Sequence, residues 1–365
     1  MTEWTAKIVA RLHEMQDIHA VWAFAEHVHA YGDVALTADF GIALTEAFRP
    51  GGRQPWPYRC VFDHVLRLVA ATPGRAGVVQ ALRLVRAPEV AGRALDRSTA
   101  ALLAFQQPPE HLAAAFTGHA SEELRACLVH ELVLRDVQLS RIPAAEAWAT
   151  SRHWRYHPLG RLPLTRSDLE TDGDRPPAGG DARTRARTRT PQVPHASETT
   201  TEAVARSIGT AARNWTEGSN GRVEAREFLL DQPLAEDAIP GALRSLGLHC
   251  LAGDGRKGRP ALSVTPVHPA YAWRALFGAA CSGGAYNSGV QGAYGRLEAW
   301  QSLGALAGAE EGAEFADLEG CVRACAWYGF ESDAPWFEQV AWDFGLAAVT
   351  DDRHRLAVLA ATDTD

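Results

Sequence analysis

Along the first 139 residues apolar positions return at intervals of three and four, as in Ile8, Leu12 and Met15 and again in Val21, Phe24 and Val28. That spacing places them on one face of an α-helix. Ser121 reads as an N-cap: beyond it Leu124, Leu128 and Leu132 with Val129 and Val133 form an apolar stripe, and Glu122, Glu123 and Arg125 lie off it. Gly51-Gly52, Pro73-Gly74, Pro88 and Pro108-Pro109 cut the region into segments of one helix each. The pattern predicts an α-helical domain over residues 1–167, either a HEAT-like array of helix pairs or an irregular bundle.

Between Asp168 and Thr200 the large apolar residues nearly vanish and Pro, Gly, Thr and charge replace them. Such a stretch cannot offset the entropy of its own ordering, so residues 168–200 are expected to be a linker or long loop. The alternating arginines Arg183, Arg185, Arg187 and Arg189 read as a solvated face of it.

From residue 201 to 365 the texture is mixed. A helix is expected over Glu202–Trp215, a turn at Gly218–Gly221, a strand over Val223–Leu230, a short helix over Pro240–Leu246, and a second strand over Gly247–Ala252 paired with the first. Helices follow over His268–Ala280, Leu297–Leu306, Asp317–Tyr328 and Trp336–Phe344, with a glycine-rich bend over Ser282–Gly295 and an apolar strand over Arg355–Ala361. The expected class is α+β and mostly helical, with a small sheet covered by helices in the second half.

Composition narrows the function classes. An apolar fraction of 46% over 365 residues suffices for two domains with real cores. The formal charge of −8, with Lys7 and Lys257 as the two lysines, argues against a general nucleic-acid or membrane-surface binder. No run of apolar residues reaches membrane-spanning length and the N-terminal segment is charged, so the expected location is the cytoplasm. Cys60, Cys127, Cys250, Cys281, Cys321 and Cys325 lack the spacing of a disulfide scaffold and read as reduced thiols.

Candidate chemistry concentrates after residue 201. The stretch 281–300 holds Gly283, Gly284, Gly289, Gly292 and Gly295 and repeats Gly-Ala-Tyr, ending at Tyr286 and Tyr294. Either its amides receive an anion where the next helix opens, or its small residues permit tight helix packing. Arg222, Glu224 and Arg226 alternate and so share one strand face, as an exposed charge-paired edge or as the floor of a polar site. A ligand pocket between strand and bend would use Asn220, Arg222, Tyr286, Asn287, Tyr294 and Arg296, with Glu224 or Asp343 as acid or base. Asp343, Asp363 and Asp365 could hold a cation, and Cys321 and Cys325 with His249 and Cys250 a soft metal. Neither set has the spacing of a known site, so no metal and no cofactor is expected. Six tryptophans, from Trp215 to Trp342, read mainly as core.

The runs NWTEGSNGRVEAREF (214–228), SGGAYNSGVQGAYGRLEAWQSLGALAG (282–308), WYGF (327–330), WFEQVAWDFGL from 336 and RLAVLAATDTD ending at 365 resemble the bacterial family catalogued as domain of unknown function 6183 (DUF6183). The resemblance covers most of residues 201–365, with Gly218 standing where an acidic residue is expected. It implies no activity. The functional expectation is a protein-interaction or binding module, of the kind immunity and conflict systems use, with a protein partner. The alternative is an enzyme or small-ligand binder with a polar pocket around residues 282–296.

Overall fold

The computed structural model describes residue 9 and residues 17–31, 33–47, 56–87, 92–171, 192–253, 258–340 and 342–364. They fall into two compact units, Met1–Gly160 and Arg161–Asp365.

The first unit is a helical array. Its described helices are α1 (Ile18–Tyr31), α2 (Val34–Ala47), α3 (Trp56–Ala71), α4 (Arg75–Val85), α5 (Arg93–Gln106), α6 (Ala113–Thr117), α7 (Glu122–Leu134), α8 (Pro143–Ala149) and α9 (Arg152–Tyr156). Val21 and Val28 of the expected stripe are buried on α1, Phe24 is half-buried, and Ala25 is the third buried position. α3 packs on α1, α2, α4 and α5, α4 packs on α2 and α6, α5 on α7, and α6 on α8. Helices two apart in sequence are thus in contact along the array. Ser121 caps α7 by accepting from the Leu124 amide at 3.0 Å, worth about 1 kcal/mol. The α3–α4 turn is fastened from a distance: Gln107 Nε2 donates to the carbonyls of Ala70 (2.5 Å) and Thr72 (2.7 Å), and its Oε1 accepts from the Gly74 amide. The predicted breaks at Gly51-Gly52 and Pro88, and the residues Ile8, Leu12 and Met15, lie outside the described residues.

The second unit is built on a six-stranded antiparallel sheet of order β1-β2-β6-β5-β4-β3. Its strands are β1 (Ala196–Glu198), β2 (Arg222–Leu230), β3 (Leu262–Val267), β4 (Ala326–Ser332), β5 (Trp342–Val349) and β6 (Arg355–Asp363). β6 lies inside the sheet and every position from Leu356 to Asp363 is buried. Both its faces are covered, hence its uninterrupted apolar sequence. On one face Phe228, Tyr328, Phe330, Leu356 and Val358 pack under α13 (Ile239–Ser245) with Ile239, Ala242 and Leu243. On the other, Trp215, Ala279 and Ala361 cluster with Val223, Trp342 and Phe344. That side carries α11 (Glu202–Ile208), α12 (Arg213–Gly218), α14 (Pro269–Ser282), α15 (Gln291–Ala307) and α16 (Phe315–Ala324). α14 and α15 pack along each other, and Gly295 allows their approach: a Cβ there would stand 2.9 Å from Cys281 Cβ.

Several expected elements change. Gly247–Ala252 is not a strand: residues 249–251 form a 3₁₀ turn whose His249 and Cys250 amides donate to the Glu224 carboxylate. The helix expected to end at Tyr328 stops at Ala324, and residues 326–332 are β4. The helix expected over Trp336–Phe344 is a turn followed by β5. The helix expected over Glu202–Trp215 divides at Gly209 into α11, a 3₁₀ turn and α12. α15 begins at Gln291, six residues ahead of the expected start. Within 168–200, residues 168–171 form α10 and residues 196–198 form β1, while the four arginines lie outside the described residues.

Candidate binding sites of the second unit

The alternation of β2 places Arg222, Glu224 and Arg226 on the face that also carries Phe228, under α13. Each is held by neighbours. Arg222 pairs with Glu338 and lies 5.7 Å over the Trp336 ring. Glu224 takes the amides of His249 (2.9 Å) and Cys250 (2.7 Å) and lies 3.6 Å from the Arg226 guanidinium. Arg226 pairs with Glu198 and donates to the Gly247 carbonyl. The charge-paired reading of this face describes its contacts, and Glu224 serves as a cap for a turn.

The glycine-rich bend lies on the opposite side, between α14 and α15. Asn287 Nδ2 donates to the Asn214 carbonyl (2.8 Å) and its Oδ1 accepts from the Gly289 amide (2.9 Å). The Tyr286 amide donates to Ser219 Oγ (3.1 Å) while its ring is exposed. The buried Asp363 carboxylate takes the Ala285 amide at 2.7 Å, and a Cβ on Gly284 would stand 1.8 Å from that carboxylate. The bend is therefore tied to the end of β6. Asp343 accepts from the Thr362 hydroxyl and the Gln339 amide. Asn220 is exposed in the turn before β2, and Tyr294 is half-buried on α15.

Arg296 is fully buried. Its Nε and Nη2 meet the Glu170 carboxylate at 2.6 and 2.9 Å, and its remaining donors reach the carbonyls of Pro163 and Thr165 at 2.9 Å. Trp300 Nε1 adds a bond to the same carboxylate at 2.6 Å. This guanidinium anchors the 163–170 segment on α15 and is spent on protein groups. The expected pocket is thus not assembled: Arg222 and Glu224 stand on one sheet face, Asn287 and Tyr286 on the other, and Arg296 inside the core. Among the described residues no group of three or more metal-ligating side chains converges, and Asp365 lies outside them. None of the six cysteines forms a disulfide, and Cys127, Cys250 and Cys325 are buried. Burial pushes the Cys325 thiol up to about 11 and raises those of Cys127 and Cys250 further.

Two concavities do form. The first is a groove of about 650 Å³ beside the outer edge of β2, between α11, α12 and the 249–251 turn. Antiparallel pairing sends alternate residues' amides and carbonyls to opposite neighbours. Glu227 points outward, its carbonyl receiving the Thr199 amide and its own amide donating to Thr200 Oγ1, both at 2.9 Å. At the other end the Gly221 amide is taken by the Trp215 carbonyl. Val223 and Ala225 lie between, in the same outward phase. β1 has ended at Glu198, and among the described residues nothing bonds their outward amides and carbonyls. Arg206 and Arg213 overlook this window, with side chains 72% and 53% exposed.

The second concavity is a cleft of about 500 Å³ on the other flank of α11. Val204, Leu297, Trp300, Phe315 and Leu318 supply its apolar lining. Glu227 and Arg355 line it as an ion pair, and Arg355 also donates to the carbonyls of Leu306 (2.7 Å) and Ala305 (2.8 Å) at the end of α15. The alternation of Arg222, Glu224 and Arg226 touched one wall of the first groove, which Glu224 and Arg226 line, but the outline of neither concavity was legible, because both are bounded by elements that meet only in the folded unit.

No curated protein and no solved structure gives a significant match to this chain. Residues 19–365 match the protein family described as a family of unknown function, DUF6183. The match extends through the helical array as well as the C-terminal half that carries the resemblance in sequence. The chain therefore belongs to DUF6183.

Proposed function

We propose that the chain is a protein-interaction module that takes an extended segment of a partner protein along the open edge of β2. The observation that carries this reading is the window of four outward backbone groups on Val223 and Ala225, set in a groove of about 650 Å³. An exposed sheet edge is a template for a further strand, and proteins that do not use such an edge cover or blunt it. Here both ends are closed, by Trp215 and by Thr199 with Thr200, and the middle is open. Each main-chain bond that an incoming strand makes contributes roughly 0.5–1.5 kcal/mol, with the alternate side chains facing Arg206 and Arg213 on one side and Glu224 and Arg226 on the other.

Ala225→Pro tests the reading. Proline removes the outward N–H, leaves the bonds to β6 in place, and suits an edge position whose N–H faces away from the ladder. A displayed random-peptide library is selected against the full chain, and enriched peptides are titrated into both forms. The expected result is peptides that bind the parent chain and lose at least tenfold in affinity for Ala225→Pro, with unfolding temperature nearly unchanged. Absence of enrichment, or binding indifferent to the proline, rejects it.

A further inference from the structure

The cleft on the far flank of α11 carries a second, separate inference. We propose that it binds a small organic cation with an apolar body. Its volume, about 500 Å³, lies within the range of small-molecule sites. The apolar body is accommodated by Phe315 and Leu318, which are partly exposed, over the buried Leu297 and Trp300, and the Trp300 and Phe315 rings meet edge to face with centroids 4.7 Å apart.

The charges decide the head group. Arg355 already gives its donors to Glu227 and to the carbonyls of Leu306 and Ala305, so it offers little to an anion. Glu227 receives Thr199 Oγ1 at 2.9 Å on one oxygen and Arg355 on the other. A carboxylate has about four acceptor positions, so Glu227 retains acceptor capacity. Glu310 and Glu311 also line the cleft, both exposed, and have no ion-pair partner among the described residues. Against them stands Arg161, also exposed. Outside the Glu227–Arg355 ion pair, two carboxylates stand against one guanidinium group, which favours a cationic ligand over an anionic one. The occupant with this chemistry is an amine joined to an aromatic or aliphatic body.

The test uses three probes with a phenylalkyl body and different heads: phenylbutylamine, phenylbutanol and phenylbutyrate. Each is titrated into the full chain, with binding followed by saturation-transfer NMR. The amine is expected to bind at least about fivefold more tightly than the alcohol, in line with two weak exposed ion pairs, and the butyrate most weakly. The double variant Glu310→Gln/Glu311→Gln, altered at exposed positions only, is expected to bring the amine to the alcohol's affinity and leave the alcohol unchanged. Equal binding of the three probes, no saturation transfer from any of them, or an amine preference that survives the double variant would overturn the proposal. Ala225→Pro is expected to leave the amine's affinity unchanged, which separates this site from the edge groove.

Discussion

Arg296 on α15 and Glu170 on α10 face each other with no solvent access to either side chain, Nε to Oε1 at 2.6 Å and Nη2 to Oε2 at 2.9 Å. The carboxylate also holds the Trp300 indole and the Ser167 amide, so four donors converge on one anion. Removing water from both charges is costly, and the pair is tolerated because nearly every lone pair and N–H has a partner. Breaking one side leaves the other charge buried alone. Arg296→Met is therefore expected to destabilise the second unit by about 3–5 kcal/mol, whereas replacing both partners with apolar residues costs less. Urea unfolding followed by tryptophan fluorescence, run on Arg296→Met, Glu170→Met and the double variant, measures the difference. Equal losses in all three would remove the pair from this role.

A second expectation concerns the glycine-rich bend. Gly284→Ala drives a Cβ into the Asp363 carboxylate, which is itself buried and bonded to the Ala285 amide. The expected cost is about 1–3 kcal/mol. Combining it with Asp363→Ala should relieve part of that cost, because the clash and the lost bond share one carboxylate. A double-mutant cycle by thermal unfolding reads this coupling, and strict additivity would show that the bend relaxes elsewhere.

The open window on β2 predicts a pattern of hydrogen exchange. The amides of Val223 and Ala225 point away from the ladder and have no partner among the described residues, while those of Glu224 and Arg226 point toward β6. Val223 and Ala225 are expected to exchange orders of magnitude faster than their immediate neighbours in the free chain. Residue-resolved exchange showing four equally protected amides would mean that the edge is covered.

Buried thiols give a pH dependence with a definite sign. Burial raises Cys325 to about 11 and lifts Cys127 and Cys250 further, from an ordinary value of 9.0. The unfolded chain therefore loses these protons first as pH rises. Their contribution is fully present below pH 9 and declines above it, by up to about 1.4 kcal/mol for each thiol per pH unit until the folded thiol ionises. Urea titrations at pH 8 and pH 10 are expected to show a drop that Cys250→Ala/Cys325→Ala reduces. An equal drop in the variant would place the alkaline loss on other groups.

The sequence determined by itself those features that depend on local spacing. The helices of the first unit, the Ser121 cap, the β2 strand and the α13 helix were legible, because a stripe at 3.6 or an alternation at 2 survives whatever the rest of the chain does, and β6 was read from a short apolar run without alternation. β4 and β5 were not. WYGF and WDFGLAAV carry bulky apolar residues on both sides, as a strand does when it is covered on both faces, and such a run has no period that separates it from a helix. The sheet order, which joins β2 to β6 and leaves part of β2 open, depends on pairings more than a hundred residues apart.

Side-chain roles followed the same division. Arg296 and Glu170 are 126 residues apart, Glu224 reaches amides 25 and 26 residues on, and Asp363 holds Ala285 from 78 residues away. Composition and spacing could nominate Glu224, Asp343 and Arg296 as polar groups in an unusual stretch. Only the tertiary structure decided that Glu224 caps a turn and Arg296 closes a buried ion pair. Whether a charged side chain is available to a ligand depends on what the fold has already placed against it.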